Sequence, residues 1–267
     1  MMQPSMNNAA KALNKDSAIS PSASNDPGAP QALIDDNWLY ETYSASGYWY
    51  YNTYTMSSSD YHLIWLYTTA SATFSLFPNS SYTGAIDASF STYGIDWLVH
   101  RPASAQVMYP RVYMGSSGTG YIEAESGYDI LTEESYGFSL SASEAGELFE
   151  VYLYTSEKYA ITVDVPSTGD FALFVFYQNS GEISGYDSHD TNSGGLGTDE
   201  RITLAPPLYT GTYAIVILRL SGSGTGYIEV AIIPDVPGFE ISFIIMALAA
   251  AILLGLGFFN KNKKFLF

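Results

Sequence analysis

The 267-residue sequence contains no cysteine. That excludes disulfide staples, thiol nucleophiles and cysteine-based zinc or iron–sulfur sites together. Positive charge is nearly as scarce. Ten Lys and Arg face 27 Asp and Glu, a formal net charge of −17, and between residues 37 and 239 the cations are Arg101, Arg111, Lys158, Arg201 and Arg219 alone. A nucleic-acid binder needs a basic face to displace counterions from phosphates, so no nucleic-acid partner is expected. Acidity of this kind keeps an outward-facing surface solvated, including at high salt or with divalent ions.

Catalytic motifs are missing as well. There are three histidines, His62, His100 and His189, and no G-x-S-x-G elbow, H-E-x-x-H pair or Walker loop. Nucleophilic catalysis needs a nucleophile on a rigid turn, a neighbouring base and an orienting acid. The spacing Gly222-x-Gly224-x-Gly226 leads into a strand, so no helix N-terminus awaits a phosphate there. No catalytic residue is assigned, and the chain is expected not to be an enzyme.

Aromatic side chains are abundant, with 23 Tyr, 14 Phe and 4 Trp. They favour strands and half-buried surfaces. Short aromatic or β-branched runs at 48–54, 60–68, 72–77, 97–101, 105–114 and 118–125 are separated by Gly, Ser, Asn and Pro. No stretch before residue 241 sustains a helical period over three turns, so the class is all-β. Tyr159, Ile161, Val163 and Val165 alternate with Ala160, Thr162 and Asp164, the signature of a strand with one buried face. Runs 170–177 and 213–220 are apolar on both faces, which makes them central strands or carriers of a contact surface.

A duplication organises this β region. Ser117–Glu123 (SGTGYIE) recurs as Ser223–Glu229, Asp60–Tyr67 lines up with Asp170–Tyr177, and Gly94-Ile95-Asp96 with Gly197-Thr198-Asp199. Two tandem β-sandwich domains of about 100 residues follow, at 36–126 and 127–233, after a leader or linker at 1–35. The leader lacks the apolar run of a secretory signal, and an upstream segment is expected to supply it.

The last part of the chain has the composition of an anchor. Residues 241–259 carry no charge and no proline. As a helix they would reach roughly 28 Å, the thickness of a bilayer's hydrocarbon core. Lys261, Lys263 and Lys264 follow in a tail at 260–267, while Asp235 and Glu240 precede in a stalk at 234–240. The positive-inside rule then places the C-terminus in the cytoplasm and the sandwiches outside, in a single-pass arrangement.

Two resemblances add to this. In the second copy, Gly169–Val175, Thr198–Ile202, Tyr209–Ile217 and the closing Gly224–Val230 resemble the pre-peptidase C-terminal (PPC) domain family. That resemblance implies a jelly-roll-like sandwich, non-catalytic, appended to secreted hydrolases and surface proteins for adhesion, matrix binding or export. Pro237-Gly238-Phe239, the apolar segment and the lysine cluster resemble the archaeal PGF-type C-terminal sorting signal. That implies an archaeosortase-type partner that replaces the tail with a lipid. The expectation is therefore an all-β chain of two tandem jelly-roll-like sandwiches with one C-terminal transmembrane helix. It would be displayed on the cell surface for spacing, adhesion or matrix binding. The alternatives are the targeting portion of a secreted hydrolase, or a carbohydrate-binding module.

Three candidate sites accompany that reading. The loop around 186–193 with the following acids, through Asp187, Asp190, Asp199 and Glu200, concentrates the hard oxygens that calcium takes. Trp49 and Tyr51, in the run YWYYNTY, could stack on the sugars of a surface polysaccharide or pack on a neighbouring domain. Asn79 begins a glycosylation sequon, Asn79-Ser80-Ser81.

Overall fold

Alternating side chains, punctuated by Gly and Ser turns, produce strands throughout the computed structural model, which describes residues 24–92, 94–177, 186–191 and 196–234, with backbone alone at 87, 90–92 and 186–191. The first half contains β1 (Gln31–Ala32), β2 (Leu39–Tyr43), β3 (Gly47–Asn52), β4 (Thr55–Met56), β5 (His62–Thr68) and β6 (Ala72–Phe77). It continues with β7 (Asp87–Ala88), β8 (Phe90–Thr92), β9 (Ile95–His100), β10 (Gln106–Val107), β11 (Tyr109–Met114) and β12 (Gly118–Ser126). The second half contains β13 (Tyr128–Asp129), β14 (Ser135–Leu140), β15 (Gly146–Leu153), β16 (Tyr159–Asp164) and β17 (Gly169–Tyr177). It ends with β18 (Tyr186–Thr191), β19 (Glu200–Leu204), β20 (Gly211–Gly222) and β21 (Gly224–Ile232). No helix occurs among the described residues, and none there is long and apolar enough to cross a membrane.

The strands form four larger sheets and a two-stranded ribbon of β4 and β10. The first sheet runs β1-β3-β11-β6-β7 and the second β2-β12-β5-β9-β8. The third runs β13-β15-β20-β17-β18 and the fourth β14-β21-β16-β19. All these strands fall within one compact unit that ends at Ile232.

Three apolar layers separate the four sheets. Trp49, Tyr51, Phe74, Leu76 and Val112 of the first sheet meet Leu39, Ile64, Leu66, Leu98 and Ile122 of the second. Phe149, Val151, Phe171, Leu173 and Ile215 of the third meet Phe138, Ile161, Val163, Ile202 and Ile228 of the fourth. The layer between these sandwiches is equally closed. Leu63, Trp65, Ile95, Trp97 and Val99 on the far face of the second sheet pack on Leu148, Phe174, Phe176, Val216 and Leu218 of the third. Each such fully buried aliphatic or Phe side chain contributes about 1.5–3 kcal/mol of transfer free energy. Side chains from both sheets close over Gly146, where a Cβ would meet those of Leu63, Trp65 and Leu218 at 3.1–3.3 Å. The double-sided apolarity of runs 170–177 and 213–220 thus has a cause: one face fills a sandwich core and the other fills this shared layer.

The two halves use their strands in the same order. Leaving out β4, β8 and β10, the nine strands of the first half match β13–β21 one for one in chain order and sheet position, including the parallel pairs β1–β3 and β13–β15. Ser117–Glu123 and Ser223–Glu229 fall on the equivalent strands β12 and β21. Gly94 and Gly197 precede the equivalent strands β9 and β19, both at positive φ, +83° and +74°. The alignment of Asp60–Tyr67 with Asp170–Tyr177 does not hold in the strand order. Asp60–Tyr67 leads into and along β5, whose counterpart is β16, whereas Asp170–Tyr177 lies on β17, the counterpart of β6. The two runs look alike because both are buried on both faces.

The outermost faces end the stack differently. On the fourth sheet, the positions corresponding to the apolar far face of the second carry Thr162, Asp164, Arg201 and Thr203, of which Asp164, Arg201 and Thr203 are exposed. With Tyr227 and Glu229 also exposed, that face is polar and adds no further layer. The outer face of the first sheet carries Tyr48, Tyr50, Tyr109, Arg111 and Tyr113.

Candidate binding surfaces

In β3 the alternation places Trp49 and Tyr51 inward, at 5% and 0% exposure. Trp49 packs edge-on to Tyr43, and the Tyr43 and Tyr51 hydroxyls lie 3.1 Å apart in the core, where burial pushes both phenols well above their usual range. Both rings are spent on the sandwich core, which corrects their assignment to sugar stacking. The exposed rings of this region are their neighbours. Tyr48 of β3 stands opposite Tyr113 of β11, ring centroids 5.3 Å apart, and Tyr50 stands opposite Arg111. The Arg111 guanidinium lies 4.6 Å from the centroids of both Tyr48 and Phe77. Tyr82 links Tyr50 and Tyr109 in a second ring cluster beside it, with centroid separations of 4.7 and 5.9 Å.

The acidic stretch expected as a loop is, at 186–191, strand β18, paired antiparallel to β17 with Leu173 opposite Asp190. A strand sends successive side chains to opposite faces, a different arrangement from a ligand-gathering loop. The side chains of Asp187 and Asp190 lie outside the described residues. Asp199 Oδ1 accepts the Val165 backbone N–H at 3.2 Å, tying the approach to β19 onto the end of β16. Glu200 is 1% exposed in a strand whose inward positions also hold Ile202 and Leu204. Asp199 and Glu200 thus serve strand docking and the sandwich interior. Asn79 sits in a turn, where Oδ1 accepts from Ser81 N–H at 3.2 Å and Nδ2 donates to Thr83 O at 3.0 Å. Pro237, Gly238, Phe239, the 241–259 segment and Lys261, Lys263 and Lys264 lie outside the described residues.

His62 and His100 face each other across β5 and β9, at one end of the first sandwich core. His62 Nε2 donates to Ser57 O at 3.0 Å, leaving Nδ1 to accept from Tyr54 Oη at 2.9 Å. Burial holds the His62 imidazole below its ordinary pKa. His100 is 1% exposed, and among the described residues neither ring nitrogen has a hydrogen-bond partner. Burial lowers its pKa to about 4, with the neighbouring His62 adding to the effect. Ser126 and Asp35 join this end, Ser126 Oγ donating to Asp35 Oδ2 at 3.1 Å. The carboxylate therefore orients the hydroxyl and not the imidazole, an arrangement that lacks the base-orienting acid of a catalytic triad.

A lone buried carboxyl and a carboxyl cluster at the contact between the sandwiches were not expected from the sequence. Glu150 of β15, buried, accepts the Tyr61 backbone N–H at 2.7 Å through Oε1, joining the third sheet to the second. Tyr61 returns the link by donating Oη–H to Thr212 O at 2.8 Å. Burial pushes the Glu150 carboxyl up to about 8, against the opposing effect of the Tyr61 hydrogen bond. Asp36, Glu123 and Glu125 bring one carboxylate oxygen each to within 4.8 Å of one another, an arrangement able to hold a divalent cation. The only sequence trace of it is the i, i+2 spacing of Glu123 and Glu125, which puts both on the far face of the second sheet.

No family model matches the sequence, and no curated protein matches it. Solved structures give partial likenesses. One is the pre-peptidase C-terminal domain of a collagenase from Bacillus anthracis, at 12% identity and a TM-score of 0.32, covering 39% of this chain and 93% of that one. Another is CorA, a surface-associated copper-binding protein of Methylomicrobium album BG8, at 11% identity and a TM-score of 0.31, covering 40% and 98%. A third is a protein from Eubacterium rectale, at 9% identity and a TM-score of 0.22, covering 69% of each chain. Likenesses of this size give this chain neither a family nor an activity.

Proposed function

We propose that the chain is a non-enzymatic cell-surface protein, held at the membrane by its C-terminal segment, that presents its four-sheet stack outward as a spacer and adhesion or matrix-binding module. The observation that carries this is the tail. Nineteen uncharged residues at 241–259 are preceded by Pro237-Gly238-Phe239 and followed by three lysines, the order a surface-delivery and anchoring signal requires. The stack suits the role: three buried layers and a polar terminal sheet make a stiff body that needs no disulfide. An archaeosortase-type enzyme acting near Gly238 is the processing partner in this reading.

Mass spectrometry of the mature C-terminus tests it. A chain ending near Gly238 with a lipid adduct supports processing to a lipid anchor. A chain intact through Phe267 in the membrane fraction refutes processing and leaves a plain single-pass anchor. A chain intact through Phe267 in the soluble fraction refutes anchoring altogether.

A further inference from the structure

The outer face of the first sheet differs electrostatically from the rest of the molecule. In a chain with 27 acidic residues, the strands of this sheet contain one acid, Asp87, and one cation, Arg111. Arg111 lies centrally on β11, between Tyr109 and Tyr113 on the same face. Its guanidinium is held between the Tyr48 and Phe77 rings, and no hydrogen bond or ion pair among the described residues occupies its donors. The flanking rings stand clear of the surface, Tyr48 at 48% and Tyr113 at 44% exposure. The equivalent face of the third sheet is the one that docks on the second, so this position in the repeat is a contact surface by construction.

We infer that this face binds an anionic polysaccharide, one with a carboxylate on its sugar rings. An open sheet face accepts an extended polymer, and the tyrosine rings offer apolar faces against which pyranose C–H groups stack while their hydroxyls stay wet. Arg111 supplies what a neutral-sugar platform would lack. Its planar fork matches a carboxylate with two parallel hydrogen bonds, and the rings that clamp it reduce the rotamer freedom lost on binding. Among the described residues no acid pairs with it, so no partner there competes for that fork. The net charge of −17 opposes approach of a polyanion from a distance, but at physiological ionic strength charges beyond roughly 8 Å are largely screened. A second copy of this chain, whose exposed fourth sheet carries Asp164 and Glu229, is the competing occupant. That sheet's polar residues offer little apolar area to cover the rings.

The inference rests on the outward display proposed above for its setting, but its test does not. Full-length chain in mild detergent is run through affinity gels containing polygalacturonate, or dextran as the neutral control, at 0.15 M salt, with calorimetry on the same pairs. Retardation by polygalacturonate and not dextran is expected, at least tenfold weaker for Arg111→Ala and several-fold weaker for Arg111→Lys and Tyr113→Ala. Circular dichroism and melting of each variant, unchanged, show that the fold is kept. Absence of polygalacturonate binding, equal retardation by dextran, or binding that survives Arg111→Ala overturns the site. So does a sedimentation dimer that Tyr113→Ala abolishes, since the face would then be taken by a second copy. Any of these leaves the display reading standing, because that reading is decided by the C-terminal mass spectrum.

Discussion

Replacing Trp97 by alanine probes the layer that joins the two sandwiches. Trp97 is 2% exposed on the far face of the second sheet, and its ring centroid lies 4.9 Å from Phe174 and 5.4 Å from Phe176 on the third. It also stands directly across the ladder from Trp65. Truncating a buried Trp to Ala removes its transfer free energy and leaves a cavity, so Trp97→Ala should cost about 3–5 kcal/mol. Pairing it with Phe174→Ala isolates the contact across the layer, where an aromatic pair should couple by about 0.5–1.5 kcal/mol. Urea unfolding followed by circular dichroism and tyrosine fluorescence reads both quantities. The wild-type chain should unfold with the two signals coincident, since the sandwiches share a core. If the sandwiches were separate beads, Trp97 would be a surface residue. The single change would then cost under about 0.5 kcal/mol, the coupling would vanish and two transitions would appear. That outcome would refute the four-layer stack.

Two buried titratable groups should make stability depend on pH in opposite directions. Glu150, whose pKa rises from 4.5 to about 8 on folding, favours the folded state fully below pH 4.5. That contribution is lost between pH 4.5 and 8, and by linkage it amounts to about 4–5 kcal/mol as an upper bound. Glu150→Gln keeps an acceptor for Tyr61 N–H and should flatten that slope, which urea unfolding from pH 5 to 9 measures. An unchanged slope contradicts the assignment. His100 has the reverse sign. Its folded pKa of about 4 lies below the unfolded 6.5, so stability is present above pH 6.5 and falls as pH drops toward 4, by about 2–3 kcal/mol. His100→Leu should remove this acid sensitivity, and a melting temperature that falls equally in both proteins between pH 6.5 and 4.5 counts against it.

Much of this fold is legible in residue order, and the failures share a cause. The alternation of Tyr159, Ile161 and Val163 with Thr162 and Asp164 gives β16 its inward and outward faces directly, because one face meets the core and the other meets solvent. Runs 170–177 and 213–220 show by double-sided apolarity that something covers both faces, although residue order alone does not say what. The partner layer, Trp65 and Trp97, lies far away in the chain. Where both faces are aromatic, as in Tyr48-Trp49-Tyr50-Tyr51, the inward phase cannot be read from the strand itself. Assigning sugar stacking to Trp49 and Tyr51 is therefore one residue out of phase, which in a strand inverts every side chain. The same double burial made β5 resemble β17 instead of its true counterpart. The carboxyls at the contact, Glu150, Glu123 and Glu125, look like ordinary surface acids until the stacking of the second and third sheets encloses them.

The outward placement of the stack carries the functional account, and the lysines report on it directly. Lys158 is the single lysine between residues 37 and 239, while Lys261, Lys263 and Lys264 follow the apolar segment. Intact cells treated with a membrane-impermeant amine-reactive reagent, then digested and analysed by mass spectrometry, should show Lys158 modified before lysis. The peptides with Lys261, Lys263 and Lys264 should be unmodified in those cells, or missing once the tail has been removed. Modification of Lys158 only after lysis would place the stack inside the cell and contradict the account.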